Sequence, residues 1–160
     1  TMKLGPRLAI LAAAAALSLS AAQAQDAMKL KIGTEGAYPP FNNLTADGKL
    51  EGFDIDIALA LCAQMKAECE LVTQDWDGII PALQAGKFDA IIASMSITDE
   101  RKEKVDFSRK YYQTPPAIAV AKDSAIADAS PESLKGKSLG AQASTTHFNY
   151  AEAKYGESDI

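Results

Sequence analysis

The chain has 160 residues, with 16 lysines and arginines against 21 acids and a formal charge of −5. That acidic balance argues against nucleic acid or an anionic membrane surface as a partner. With two cysteines and a single histidine, His147, there is little to build a metal centre from, and the length suits one compact domain.

Taken in chain order, residues 1–24 read as a secretory signal peptide. Met2, Lys3 and Arg7 form a short positive region, and Leu8 to Leu19 is an apolar run of 12 residues. That run is short for a bilayer span, and Ala22-Gln23-Ala24 has the small-x-small form of a cleavage site. Cleavage near Gln25 removes Lys3 and Arg7 and no acid, which takes the formal charge from −5 to −7. No cysteine lies near that site, so a lipid anchor is not indicated. No later stretch is long and apolar enough to span a membrane. Export makes Cys62 and Cys69 a candidate disulfide. The alternative, a metal pair, is weakened by the absence of a nearby histidine.

Leu30 to Gly33 reads as a strand. Thr34 to Asn43 is a loop broken by Gly36, Pro39 and Pro40, and Asp47-Gly48 marks a turn between two short hairpin strands. Gly52-Phe53-Asp54 opens a helix. Phe53, Ile57, Leu61 and Met65 recur every four residues and predict its apolar face. Glu70 to Thr73 is the next strand. Asp75 to Gly78 is a loop into a second helix, with Ile79, Ile80 and Leu83 inward and Gly86 as its stop. Phe88 to Ala93 is the third strand. This strand–helix order predicts an α/β fold with a parallel, doubly wound sheet. Ligands of such sheets bind beyond the carboxyl ends of the strands. The loops that leave those ends carry Glu35 and Tyr38, then Asp75 and Trp76, then Ser94, Ser96 and Arg101.

That third loop is the most informative stretch. Thr98, followed by Asp99 and Glu100, reads as a helix N-cap with acids in the first turn. Ser94 and Ser96, two apart, put both hydroxyls on one side of an extended segment. Arg101 adds a planar fork of donors that fits a carboxylate at two points. Hydroxyls, a helix start and an arginine make a seat for the carboxylate of a small molecule. The plainer reading is a capped helix with a solvated charged face. Further on, Val105 to Ser108 is extended, Ala117 to Ala121 is strand-like, and Ser133 to Gly136 is a short helical turn. Ser138 to Ala141 is a strand leading through Ser144 and Thr145 into a helix that runs to about Lys154. Ser158 to Ile160 starts another strand. Residues 122–160 hold too few elements to bury a core, so the chain is expected to be cut short.

Several stretches together resemble a known family. They are Gly33 to Phe41, Gly52-Phe53-Asp54-Ile55-Asp56, Trp76 to Leu83, Asp89 to Ile92, Ser94 to Arg101, Leu134-Lys135-Gly136-Lys137 and Gln142 to Thr145. The chain resembles the periplasmic amino-acid-binding proteins of ABC importers, of the lysine/arginine/ornithine- and histidine-binding type, over nearly all of residues 28–160. The resemblance implies the type II fold of two α/β lobes closing on one amino acid. Lobe one would occupy residues 25–116, the first crossover 117–121 and a partial lobe two 122–160. It implies that Arg101 holds the ligand α-carboxylate with help from Thr145. Ser94 and Ser96 would meet the α-amino group or side chain, with Ser144 beside Thr145 in the second lobe. Tyr38 and Trp76 would flank the ligand side chain, and Glu35 would face its cationic end. Cys62 and Cys69 sit where basic-amino-acid binders carry a disulfide.

Two positions depart from the pattern. Ala93 replaces a serine, and Trp76 replaces a phenylalanine, as in opine binders. The expected protein is a periplasmic monomer that binds a free amino acid such as arginine, lysine, ornithine or histidine, or an opine, and serves an inner-membrane ABC permease. It is expected to need no cofactor, no metal and no catalytic step. A periplasmic prephenate or arogenate dehydratase on the same scaffold is the enzymatic alternative. No nucleophile–base pair supports it, and the sensor domain of a receptor is a third reading.

Overall fold

A computed structural model of the chain describes residues 27–160. The signal-peptide expectation lies outside the described residues. The central sheet holds β1 (Lys29–Thr34), β5 (Glu68–Thr73) and β6 (Ala90–Ile91), in the order β5-β1-β6 and parallel throughout. Between them run α1 (Phe53–Met65) and α2 (Ile79–Gln84), the second entered through a single 3-10 turn over Trp76–Gly78. The parallel β-α-β-α-β order is the one predicted.

Successive strand residues face opposite sides, and β1 shows what each side receives. Ile32 is buried with Ala58 and Cys62 of α1. Gly33 faces the other way, where the Phe88 ring lies so close that an added Cβ would stand 2.6 Å from it. Phe88 belongs to the second core cluster, with Ile79, Ala82 and Ala93. One helix therefore covers each face of the sheet.

The predicted apolar stripe of α1 is not its buried face. Phe53, Leu61 and Met65 are exposed, whereas Asp54, Ile55, Ala58 and Cys62 are buried. The helix is apolar nearly all round, so spacing alone does not choose a face. The small Ala58 and Cys62 let its axis approach the sheet, and Asp54 has internal partners. The third strand is also shorter than predicted, since only Ala90 and Ile91 pair. Phe88 turns into the core before the ladder starts, and Ala93 is buried after it ends.

A second sheet is antiparallel and comprises β2 (Ala37–Tyr38), β3 (Asn42–Leu44) and β4 (Leu50–Glu51). Gly48, at φ 82°, makes the predicted turn between β3 and β4. Past β6, α3 (Asp99–Lys102) begins at Thr98, whose hydroxyl accepts from the Arg101 backbone N–H at 3.2 Å. Ala117 to Ala121 is exposed and unpaired, because no strand lies beside it among the described residues. The last part holds α4 (Pro131–Leu134) and α5 (Thr146–Lys154). The strand expected at Ser138–Ala141 is reduced to one parallel bridge, Ser138 to Asp159. This part does bury a small cluster of Leu134, Ala151 and Tyr155, contrary to expectation, because α4 and α5 share it with Ile126, Leu139 and Ile160. No helix among the described residues is long and apolar enough to cross a membrane.

Cys62 and Cys69 are joined, tying the end of α1 to β5. The closed loop is short, so removing the cross-link should cost about 2.5 kcal/mol by loop entropy. Cys62→Ser/Cys69→Ser should accordingly unfold at a lower denaturant midpoint while keeping its ligand site. An unchanged midpoint would show that the bridge adds nothing to stability.

Candidate functional site

Three loops leave the carboxyl ends of β1, β5 and β6, and the last part of the chain meets them. Glu35 and Tyr38 follow β1. Trp76 follows β5. Ser94, Ser96 and Arg101 follow β6. Together with Thr145 at the start of α5 they line one cavity. Every candidate ligand residue from the sequence is brought to it except Ser144, which contributes its backbone instead. Ala93, Gln142, Thr146 and His147 complete the lining.

Arg101 is the organising cation. Its Nη1 donates to the Ser96 carbonyl at 2.9 Å and its Nη2 to the Ser144 carbonyl at 3.1 Å. The guanidinium lies 5.3 Å from the Trp76 ring centroid. A guanidinium has five N–H donors, and these two bonds leave three. Among the described residues it has no carboxylate partner. Burial holds it below its ordinary pKa, with the neighbouring Glu100 opposing that shift. An arginine stays protonated regardless. Half-buried, charged and unpaired, it is suited to a ligand anion.

Ser144 adopts the left-handed conformation, at φ 59°. Its carbonyl accepts from Trp76 Nε1 at 3.0 Å as well as from Arg101. Across the same cavity Gln142 Nε2 donates to Glu35 Oε1 at 2.5 Å. These bonds join the first part of the chain to the second. A wider opening continues outward past Glu35 and Trp76 to Asp75 and Asp77, so its mouth is acidic. Such a mouth favours the approach of a cation.

Ser94 corrects one expectation. Its φ of 53° is left-handed, so the segment is not extended and the two-residue alternation with Ser96 fails. The reason is internal. Ser94 Oγ donates to Asp54 Oδ2 at 2.7 Å, and its backbone N–H donates to the Tyr111 hydroxyl at 3.2 Å. The Tyr111 hydroxyl in turn donates to Asp54 Oδ1 at 2.7 Å. Burial and the Asp54 carboxylate push the Tyr111 phenol well above its ordinary pKa. Asp54, Asn42 and Tyr111 escaped sequence reasoning as site residues. The one available signal was the pair of aspartates, Asp54 and Asp56, in the first turn of an apolar helix, and spacing does not say which of the two is buried. His147 is also newly placed, brought to the cavity by the first turn of α5.

The site is thus a cavity where the loops after β1, β5 and β6 meet the start of α5, lined by Glu35 and by an arginine that lies over the Trp76 ring and has no carboxylate partner among the described residues. The chain belongs to the bacterial extracellular solute-binding proteins, family 3, whose family model matches residues 30–154. It is 46% identical to an L-arginine-binding protein of Pseudomonas aeruginosa over 148 residues, covering 92% of this chain and 57% of that protein. It is 48% identical to an octopine-binding periplasmic protein of Rhizobium meliloti over 130 residues, covering 81% of this chain and 44% of that one. Among solved structures it matches the ancestral amino acid-binding protein AncCDT-1, a precursor of cyclohexadienyl dehydratase. The TM-score is 0.77 at 42% identity, covering 82% of this chain and 59% of that one. The fold is the type II periplasmic binding protein fold, and the chain spans about half the length of the curated relatives it matches.

Proposed function

We propose that the protein is the periplasmic binding component of an ABC importer for a cationic amino acid, holding its ligand by lobe closure without catalysis. The observation that carries this reading is Arg101. It is half-buried, has three free N–H donors and no carboxylate partner among the described residues, and shares its cavity with Glu35. An α-carboxylate at Arg101 and a cationic side chain toward Glu35 would satisfy both ends. Tyr38 and Trp76 supply ring faces for the cation between them. Thr145 and Ser96 line the same space. The names of the arginine-binding relative and the octopine-binding relative agree with a guanidinium-bearing ligand.

The test is a titration of Trp76 fluorescence in the full-length periplasmic protein with arginine, lysine, ornithine, histidine, glutamine and octopine. A saturable response to the cationic ligands supports the reading, and a response to glutamine alone rejects it. Glu35→Gln should weaken arginine and lysine more than glutamine, by about 1–3 kcal/mol, because a charge-assisted hydrogen bond becomes a neutral one. An equal loss for all three would remove Glu35 from any cation role.

A second reading rests on the match to AncCDT-1, which is named as a precursor of an enzyme. Glu35 and His147, with the Tyr38 phenol, are acid–base groups lining the cavity. Turnover of prephenate by the purified protein would establish a dehydratase in place of a binder.

A further inference from the structure

Asp54 is fully buried at the start of α1, and neutral donors converge on it. Asn42 Nδ2 and Ser94 Oγ each donate to Oδ2 at 2.7 Å, and the Tyr111 hydroxyl donates to Oδ1 at 2.7 Å. Asn42, itself fully buried, is oriented in turn, since its Oδ1 accepts from the Gly36 N–H at 2.8 Å. This network links the loop after β1, strand β3, helix α1, the loop after β6 and the Tyr111 segment.

The consequence for Ser94 follows from counting protons. A hydroxyl has one proton and two lone pairs, and an ionised carboxylate only accepts. Ser94 therefore spends its hydroxyl proton on Asp54. Its backbone N–H is spent on the Tyr111 oxygen. Both of its donors point inward, while the residue borders the ligand cavity. These two bonds also hold its left-handed φ of 53°. Thr145 follows the same rule, because its Oγ1 gives its proton to the Gln142 carbonyl at 2.7 Å and accepts from Phe148 N–H at 3.1 Å.

We propose that Asp54 is a positioning residue that, through Ser94, makes this point of the cleft acceptor-only. It would take an N–H donor of the ligand and turn away a carboxylate. The direction of the ligand is then set by polarity as well as by shape. The carboxylate goes to Arg101 and the cationic side chain toward Glu35, which leaves the α-ammonium for Ser94. This inference rests on the reading of the cleft as an amino-acid site.

The experiment uses the full-length protein as wild type, Ser94→Ala, Asp54→Asn and the double variant, with arginine as the probe. Calorimetry should show each single variant losing on the order of tenfold in affinity, the range of one hydrogen bond to a charged group. The double variant should lose no more than the larger single loss, because Asp54 acts through Ser94. Losses that multiply would overturn the proposal, since they would make Asp54 an independent contributor. A ligand-free readout accompanies it. Proton NMR of protein with labelled serine should show a slowly exchanging Ser94 hydroxyl proton, lost in Asp54→Asn. A freely exchanging proton in the wild type would also overturn the proposal. If Asp54→Asn does not fold, that wild-type spectrum and the Ser94→Ala affinity decide. If the wild type binds no arginine, the arginine-importer reading fails, and the hydroxyl proton still decides how Ser94 is held.

Discussion

Replacing Arg101 by alanine in the full-length protein is expected to weaken amino-acid binding by about 2–5 kcal/mol, or roughly thirty-fold to a few thousand-fold in Kd. The size follows from what would be left behind. The ligand carboxylate would enter a cleft whose charged donor is gone, and the nearby hydroxyl of Thr145 has already given its proton to the Gln142 carbonyl. Much of the cost is that of an unpaired charge, not the worth of the pair itself. Arg101→Lys should recover only part of the loss, because an ammonium cannot reproduce a planar fork that reaches Ser96, Ser144 and a ligand together. Calorimetry on the three proteins measures this directly. Affinity unchanged in Arg101→Ala would remove the residue from the site. The helix start should survive, since the Thr98 cap bonds the backbone N–H of residue 101 and not its side chain.

The second large effect is expected on stability. Asp54→Ala should lower the unfolding free energy by about 3–5 kcal/mol, within the range reserved for buried networks. Three donors, from Asn42, Ser94 and Tyr111, would lose their acceptor, and for the fully buried Asn42 no water can replace it. The Tyr111 and Ser94 hydroxyls can rotate, whereas the Asn42 amide is held by Gly36 and cannot. Asp56, two residues along the same helix, is exposed and supplies the control. Asp56→Ala should change stability by no more than about 0.5 kcal/mol. Urea denaturation of both variants tests the contrast. Equal midpoints would mean that the network contributes no stability.

The chain order of strands and helices was legible from Ile32, Gly33, Leu71 and Ile91 with their breakers, because local propensity and punctuation agree with the parallel sheet. The positions of Glu35, Tyr38, Trp76, Ser94, Ser96 and Arg101 after strand ends were legible for the same reason, as a parallel sheet sends all those loops to one edge. Which face of α1 is buried was not legible. Its apolar residues nearly encircle it, and the outcome depended on how closely Ala58 and Cys62 could approach β1. Nor could spacing show that the Ser144 backbone would face Arg101 and Trp76, since that contact joins residues 43 and 68 positions apart.

The sequence by itself determined the α/β order, the export signal as an expectation, and the kind of chemistry the cleft could hold. Only the tertiary structure decided which way each polar group points. A hydroxyl's donor or acceptor role depends on the partner it meets. For Ser94 that partner is Asp54, 40 residues earlier in the chain and brought to it by packing of α1 against the sheet.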